Sequence, residues 1–536
     1  MKTHILLLTI LAVLFSPLFA TNDMSIIAEF QGEHHYSGFG HAVESLDFNH
    51  DGYTDLVVLS GSYGYTAGVS GSRGKVYIYY GGPDFSSTTP ASVTIEGTYA
   101  NSVGRRIFYI FKVGDISGDG FDDLCVYVID HISLNESYEK LLFFYGGNDS
   151  LDNPDHVISF SYNDEVLRVS NMGDFDGDGY DDVGLHYILR QPSYIKKFTI
   201  MWGGNYEEQV VLEYAYNNAI SSISGIGDID GDGYRDFTVG FTDPDPDTGY
   251  HMIKIYHGNP GRDLSDPDVL IQTQEPITKD SRPIGDVNGD GYDDFMGYYS
   301  NAGMHAWLGE IVMDYGMPSF NFTPGWSGDE ASRCLKYGDL NGDGYDDVVG
   351  TTYHERKFSV WMGSEQMNGN SELIISRTNF DNFGYGIATG DFNADGFCDV
   401  AIAAHKPEPD SYAPNFPGYL WIYGGNAQLQ DTTVANDDPL IPGVADQLYL
   451  SISPNPVHTT ASVISISVST KGQAFNGEGS ISIYNIKGQL VYSAKVPVHQ
   501  SKIEHDITLK QLPAGVYICR VSLGEISATK RISILK

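Results

Sequence analysis

The sequence predicts an all-β protein: seven four-stranded units set radially as the blades of a β-propeller, followed by a smaller β-rich domain. Three observations carry this expectation. A nine-residue acidic loop recurs seven times, starting at Asp47, Asp115, Asp174, Asp228, Asp286, Asp339 and Asp391. Each loop is followed by a strand ending in an aromatic-Gly landmark: Tyr80-Gly81-Gly82, Tyr145-Gly146-Gly147, Trp202-Gly203-Gly204, Tyr256-His257-Gly258, Trp307-Leu308-Gly309, Trp361-Met362-Gly363 and Tyr423-Gly424-Gly425. The chain is rich in Gly, Tyr and Asp, with few helix-forming stretches.

Loop starts are separated by 68, 59, 54, 58, 53 and 52 residues, and self-similarity at such a period signals a repeat fold. Each repeat reads as four strands: one entering the loop, one leaving it, one ending at the landmark, and a fourth such as residues 92–96, 156–160 or 372–375. Four-stranded repeats placed radially are propeller blades, whereas a linear stack would leave an open edge. The ends favour a ring. Residues 26–30, followed by Gly32, resemble the fourth strand of a repeat, and the stretch after Gly425 lacks one. The N-terminal strand is therefore expected to complete the seventh blade.

Within each loop, side-chain oxygens fall at positions one, three, five and nine, and an aromatic residue at position seven offers its carbonyl. The sets are Asp47, Asn49, Asp51 and Asp55 with Tyr53; Asp115, Ser117, Asp119 and Asp123 with Phe121; and Asp174, Asp176, Asp178 and Asp182 with Tyr180. They continue as Asp228, Asp230, Asp232 and Asp236 with Tyr234; Asp286, Asn288, Asp290 and Asp294 with Tyr292; Asp339, Asn341, Asp343 and Asp347 with Tyr345; and Asp391, Asn393, Asp395 and Asp399 with Phe397. A hard cation such as Ca2+ takes six to eight oxygens, and Gly at position six permits the sharp turn that gathers them. Asp-Gly turns also cap hairpins with no metal present. Sevenfold recurrence favours up to seven calcium sites.

An EF-hand would place Glu at the twelfth position. Here those positions are Val58, Val126, Leu185, Val239, Gly297, Gly350 and Ile402. They belong to short β-prone runs, so each loop joins two strands.

Phe39-Gly40 and Phe383-Gly384-Tyr385-Gly386, with the acidic loops and Val76-Tyr77-Ile78-Tyr79, resemble FG-GAP repeats as in the integrin alpha-chain β-propeller, over about residues 24–425. Val103-Gly104 is the nearest equivalent in the second repeat, and the middle repeats lack a clean Phe-Gly entry. The resemblance implies calcium on one face and ligand contact or adhesion on the other.

The expected organisation is a signal peptide over 1–20, the propeller over 21–425, a linker over 426–446 and a C-terminal domain over 447–536. Lys2 precedes an apolar run at 5–15, then Pro17 and the small Ala20, the pattern of a cleaved secretory signal. That run is too short to span a bilayer, and no other stretch approaches 18 apolar residues, so no transmembrane segment is expected in the mature chain. In the tail, Pro454-Asn455-Pro456, residues 483–491, Leu512-Pro513-Ala514-Gly515-Val516-Tyr517 and Lys530-Arg531-Ile532 resemble the C-terminal sorting domain of bacterial type IX secretion. That implies an Ig-like sandwich handled by the secretion machinery, and a product released or attached at the outer surface.

Lys plus Arg total 31 against 70 Asp plus Glu, a net charge of -39. This argues against nucleic acid or an anionic membrane as partner. The loops account for 27 of the aspartates. The four cysteines, Cys125, Cys334, Cys398 and Cys519, read as free thiols, with a Cys334–Cys398 bridge as the alternative.

Function reads first as a non-enzymatic surface module binding a glycan or protein. The two longest connections between second and third strands, 60–74 and 404–418, become neighbours when the ring closes. They offer Tyr63, Tyr65, Arg73, His405, Lys406, Tyr412 and Phe416 as a contact surface; solvated Gly/Ser and Pro loops are the alternative. A calcium-dependent polysaccharide lyase or hydrolase is the second reading. No Gly-x-Ser-x-Gly, His-Glu-x-x-His or P-loop supports it, although a carboxylate pair leaves no sequence spacing to read. A passive spacer is the third. The run Asp243-Pro244-Asp245-Pro246-Asp247 reads as a solvated turn or an eighth, weak cation site.

Overall fold

The computed structural model describes residues 24–429 apart from short stretches, the longest being 65–71, 243–250, 311–317, 323–334 and 406–416, together with the strands between 447 and 535. The expected signal peptide, the 243–247 run, Cys334 with its alternative bridge, Tyr65, Lys406, Tyr412, Phe416 and 430–446 of the expected linker lie outside the described residues. Regular structure among the described residues is entirely strand, and none of it is a helix long and apolar enough to cross a membrane. The chain divides into two compact units, Met1–Thr433 and Val434–Lys536.

The first unit contains seven four-stranded antiparallel sheets. In the first blade, Phe39–Leu46, Asp55–Ser60, Lys75–Tyr79 and Val93–Glu96 pair in chain order. The next five blades follow the same order. The seventh differs as the ends of the sequence imply: Ile26–Gln31 lies antiparallel outside Tyr419–Tyr423, with Glu29 opposite Trp421. The innermost strands, Phe39–Leu46, Gly104–Gly114, Glu165–Gly173, Ile220–Gly227, Ile277–Gly285, Leu335–Gly338 and Phe383–Gly390, neighbour one another in sequence order, and the last packs on the first. The seven sheets thus close into a ring without a free inner edge.

Both faces of the blades are covered, which explains why the strand after the loop is buried at successive positions, as in Asp55–Ser60, Asp347–Thr352 and Asp399–Ala404. Side chains alternate across the sheet. Leu56 and Val58 enter the seam with the seventh blade, while Val57 and Leu59 enter the seam with the second. Seven hydrophobic clusters result, one for each seam. Trp202, Trp307, Trp361 and Trp421 are each at most 2% exposed within them.

The Phe-Gly entries have a mechanical basis. Phe39 and Phe383 are buried in seams, and the following Gly40 and Gly384 take left-handed φ of 83° and 95° where the ladder slips register. A Cβ on Gly384 would come within 2.8 Å of Thr351 in the preceding blade, so only glycine allows both the bulge and the close approach.

The second unit holds two sheets. One orders Gln447–Ser453, Val463–Lys471 and Lys502–Thr508; the other orders Val457–His458, Ile526–Leu535, Gly515–Leu523, Gly477–Asn485 and Leu490–Val498, its first pair parallel. Ile481, Ile483, Val521 and Ile532 are buried. Cys125, Cys398 and Cys519 are free thiols.

Candidate metal centres

Each acidic loop joins the first two strands of its blade, so all seven lie on one side of the ring. In the first, Asp47 Oδ1 accepts the Asp51 amide at 3.1 Å and Oδ2 the Gly52 amide at 3.0 Å. Asn49 Oδ1 accepts the Asp51 amide at 3.2 Å and Asp51 Oδ1 the Tyr53 amide at 3.0 Å. Asp55 Oδ2 and Oδ1 accept the amides of Phe48 and Gly81, both at 2.9 Å. The third to seventh loops repeat this pattern. The second departs. There the Ser117 hydroxyl turns onto Asp115 at 3.3 Å, and the Ser117 amide meets Asp123 at 3.1 Å.

The closing aspartates also receive the landmark glycine of the third strand, so one carboxylate ties three strands of a blade together. All seven are buried. Burial pushes the carboxyls of Asp55, Asp123, Asp182 and Asp399 up to about 7 and that of Asp294 up to about 8, with neighbouring loop carboxylates adding to the shift against the backbone amides. Each loop therefore concentrates desolvated negative charge on oxygen donors alone. Asp174, Asp176 and Asp182, and likewise Asp228, Asp230 and Asp232, bring ligand atoms within 4.8 Å of one another. Such a donor set fits a hard divalent ion, which would neutralise the charge and tie the strand junction.

The loops are joined to one another around the ring, a feature missed by reading each loop alone. At position eight, Asp122, Asp181, Asp293 and Asp346 accept the amides of Asp47, Asp115, Asp228 and Asp286 in the preceding loop at 2.8–3.0 Å. Their own amides donate back to the carbonyls of those same residues at 2.9–3.3 Å. Arg235 and Cys398 keep only the backbone half, onto Asp174 at 3.2 Å and Asp339 at 2.9 Å. The Gly82 amide donates to Phe392 at 2.9 Å, linking the seventh loop to the first blade.

The position-seven aromatics have a second role. Each of Tyr180, Tyr234, Tyr292, Tyr345 and Phe397 lies against position four of the preceding loop, where a Cβ on Gly118, Gly177, Gly231, Gly289 or Gly342 would come within 2.2–2.9 Å of the ring. Position four is left-handed in all seven loops, including His50 at φ 53° and Ala394 at φ 59°. Glycine at five of these seven positions was a visible sequence signal for that turn.

Two loops have a basic side chain at their donor carboxylates. Arg262, left-handed at φ 51°, follows the landmark of the fourth blade and pairs through Nε with Asp176 and through Nη2 with Asp178 at 3.0 Å in the third loop. His257 Nδ1 stands 3.3 Å from both Asp230 and Asp236 in the fourth.

On the other side of the ring, hydrogen bonds bring the two long connections together through residues 32–38. The Ser62 amide donates to Ser37 at 2.9 Å, and the Ser37 hydroxyl and Phe39 amide donate to Pro417 at 2.6 and 3.2 Å. His41 and His405 meet ring to ring at 5.0 Å. Of the proposed contact side chains, Tyr63 and His405 are only 7% and 5% exposed. Tyr63 is packed under Lys75 and beside His34, and His405 lies against Tyr385. Sequence could not anticipate that these two serve as packing instead of open contact. Arg73 is solvent-facing and paired with Glu96 at 2.8 Å. A shallow cleft beside them is lined by Gln31, Gly32, Glu33, His34, His35 and Pro417.

Residues 47–126 and 339–402 match the FG-GAP-like repeat, and 451–535 match the secretion system C-terminal sorting domain. Integrin alpha-5 of Xenopus laevis is 30% identical over 175 residues, covering 30% of this chain and 16% of that protein. Integrin alpha-PS2 of Drosophila melanogaster is 24% identical over 244 residues, 44% of this chain and 14% of that one. Phosphatidylinositol-glycan-specific phospholipase D of Mus musculus is 36% identical over 90 residues, 16% and 10% respectively. The chain thus spans less than a fifth of the length of each of these relatives. With seven antiparallel four-stranded sheets closed in a ring, the chain carries FG-GAP-like repeats on a propeller, is similar to integrin alpha chains over part of its length, and ends in a match to the secretion system C-terminal sorting domain, which supports a secreted or outer-surface location.

Proposed function

We propose that this protein, exported by type IX secretion, is a non-enzymatic calcium-binding module that engages a glycan or protein at the cell surface. Calcium in up to seven loops would stiffen one side of the ring, and ligand contact would fall on the opposite side. The observation that carries this reading is the repeated all-oxygen loop, closed by a buried aspartate, fixed by the same backbone bonds and linked to its neighbours around the ring. The names of the integrin relatives favour protein contact, and the segment 32–38 between the two long connections gives a place for it, with His34 and Tyr36 exposed.

The test uses the mature chain on glycan and protein arrays, in calcium and after chelation, with elemental analysis of the stripped and reloaded protein. Calcium-dependent retention without turnover is the expected result. Polysaccharide cleavage would favour the enzyme reading, and absence of bound alkaline-earth ions would remove the calcium reading.

A further inference from the structure

The third loop departs from its neighbours in what its free oxygens meet. In the first, fifth, sixth and seventh loops, Oδ2 of the position-five aspartate accepts the Asn amide at position three, at 2.8–3.0 Å. The third loop has Asp176 in place of that Asn. Asp176 Oδ1 and Asp178 Oδ1 serve the loop backbone, accepting the amides of Asp178 and Tyr180 at 3.1 Å. The remaining Oδ2 atoms of both carboxylates are taken by Arg262.

The arginine is held from several sides. Its amide donates to Asn259 at 3.2 Å, and its carbonyl accepts Gln209 Nε2 at 3.3 Å. Asn259 closes the turn by accepting the Asp263 amide at 3.1 Å and donating to the His257 carbonyl at 3.1 Å. The guanidinium lies 4.5 Å from the ring centre of Trp202, an arrangement that favours a delocalised cation. Its side chain is 28% exposed while that of Asp176 is 3% exposed, so Arg262 is the group that compensates a buried carboxylate. Among the described ion pairs, no other Lys or Arg reaches positions three and five of a loop.

We propose that Arg262 is the resident counter-cation of the third loop, taking the place of the ion that the spacing of Asp174, Asp176 and Asp182 would otherwise admit, so this loop closes without metal and the protein holds one ion fewer than it has loops. A fixed guanidinium and a divalent ion would compete for the same two carboxylates, and the tethered group occupies the site without an association step. The inference rests on the calcium reading of the other loops.

The experiment counts calcium bound per chain, by equilibrium dialysis with elemental analysis, for stripped full-length protein and for Arg262→Gln. The substitution is expected to raise the count by one. Equal counts in the two proteins would overturn the role of Arg262 while leaving the calcium reading intact; no ions in either would remove both. Should Arg262→Gln fail to fold, the calcium-loaded wild-type crystal structure decides: ion density among Asp174, Asp176 and Asp178 with Arg262 displaced would overturn the proposal, and a guanidinium there beside ion-filled neighbouring loops would support it.

Discussion

Asp181 and Asp115 clasp each other across a blade seam: the Asp181 carboxylate accepts the Asp115 amide at 3.0 Å, and the Asp181 amide donates to the Asp115 carbonyl at 2.9 Å. The position-eight carboxylate is therefore a structural joint between blades, separate from the donors at positions one, three, five and nine that converge within a loop. Asp181→Ala is expected to leave a backbone amide without its partner and to cost about 1–3 kcal/mol. Chemical denaturation should show this loss both in calcium and after chelation; a loss confined to calcium would mean that Asp181 acts through the ion.

The glycines of one loop separate space from backbone strain. Gly177 and Gly179 are both left-handed, at φ 73° and 93°, but a Cβ on Gly177 would stand 2.3 Å from the Tyr234 ring while one on Gly179 meets nothing within 4 Å. Gly179→Ala is expected to cost about 1 kcal/mol from conformation alone. Gly177→Ala must also move an aromatic ring that seals the next loop, and its melting temperature should fall further. Equal shifts would contradict the stacking role of Tyr234.

Removing the ion should make stability pH-dependent in a definite direction. In the ion-free protein, the folded pKa of the closing aspartates, about 7 for Asp55 and about 8 for Asp294, lies above the unfolded value near 4. The folded state then binds more protons, so this stabilisation is present below about pH 4 and is lost as pH rises through 7 to 8. Stripped protein is expected to melt lower at pH 8 than at pH 5, and millimolar calcium to restore most at pH 8. A calcium effect larger at pH 5 would count against ion binding at these carboxylates.

His186 works in the opposite sense. It is buried against Phe198 at 4.1 Å between ring centres, and burial, with Lys196 and Arg168 adding to it, lowers its pKa to about 3. A folded pKa below the unfolded 6.5 gives stability that is full above pH 6.5 and declines as pH falls, by about 2 kcal/mol at pH 5. In calcium, the stability difference between wild type and His186→Phe should shift in favour of the variant as pH drops from 7 to 5. A difference independent of pH would show that folding leaves the His186 pKa unshifted.

What the sequence alone determined is what repeats. Seven loops with oxygens at alternate positions, a landmark after each, and a stray fourth strand at 26–30 sufficed for a closed ring of seven sheets, because period-two patterning and turn chemistry are local. The left-handed glycine at position four was equally local and visible in five loops.

The tertiary structure decided whatever depends on residues distant in the chain. The clasp of Asp181 on Asp115 needs two blades side by side, and Arg262 reaches Asp176 across 86 positions of sequence. Tyr63 and His405, polar-tipped aromatics in long connections, read as contact residues until closure of the ring packs His34 and Lys75 on one and His41 and Tyr385 on the other. The physical reason is that donor type and turn geometry are written within nine residues, whereas which charge is compensated, and which ring is buried, is set by neighbours that only the closed ring supplies.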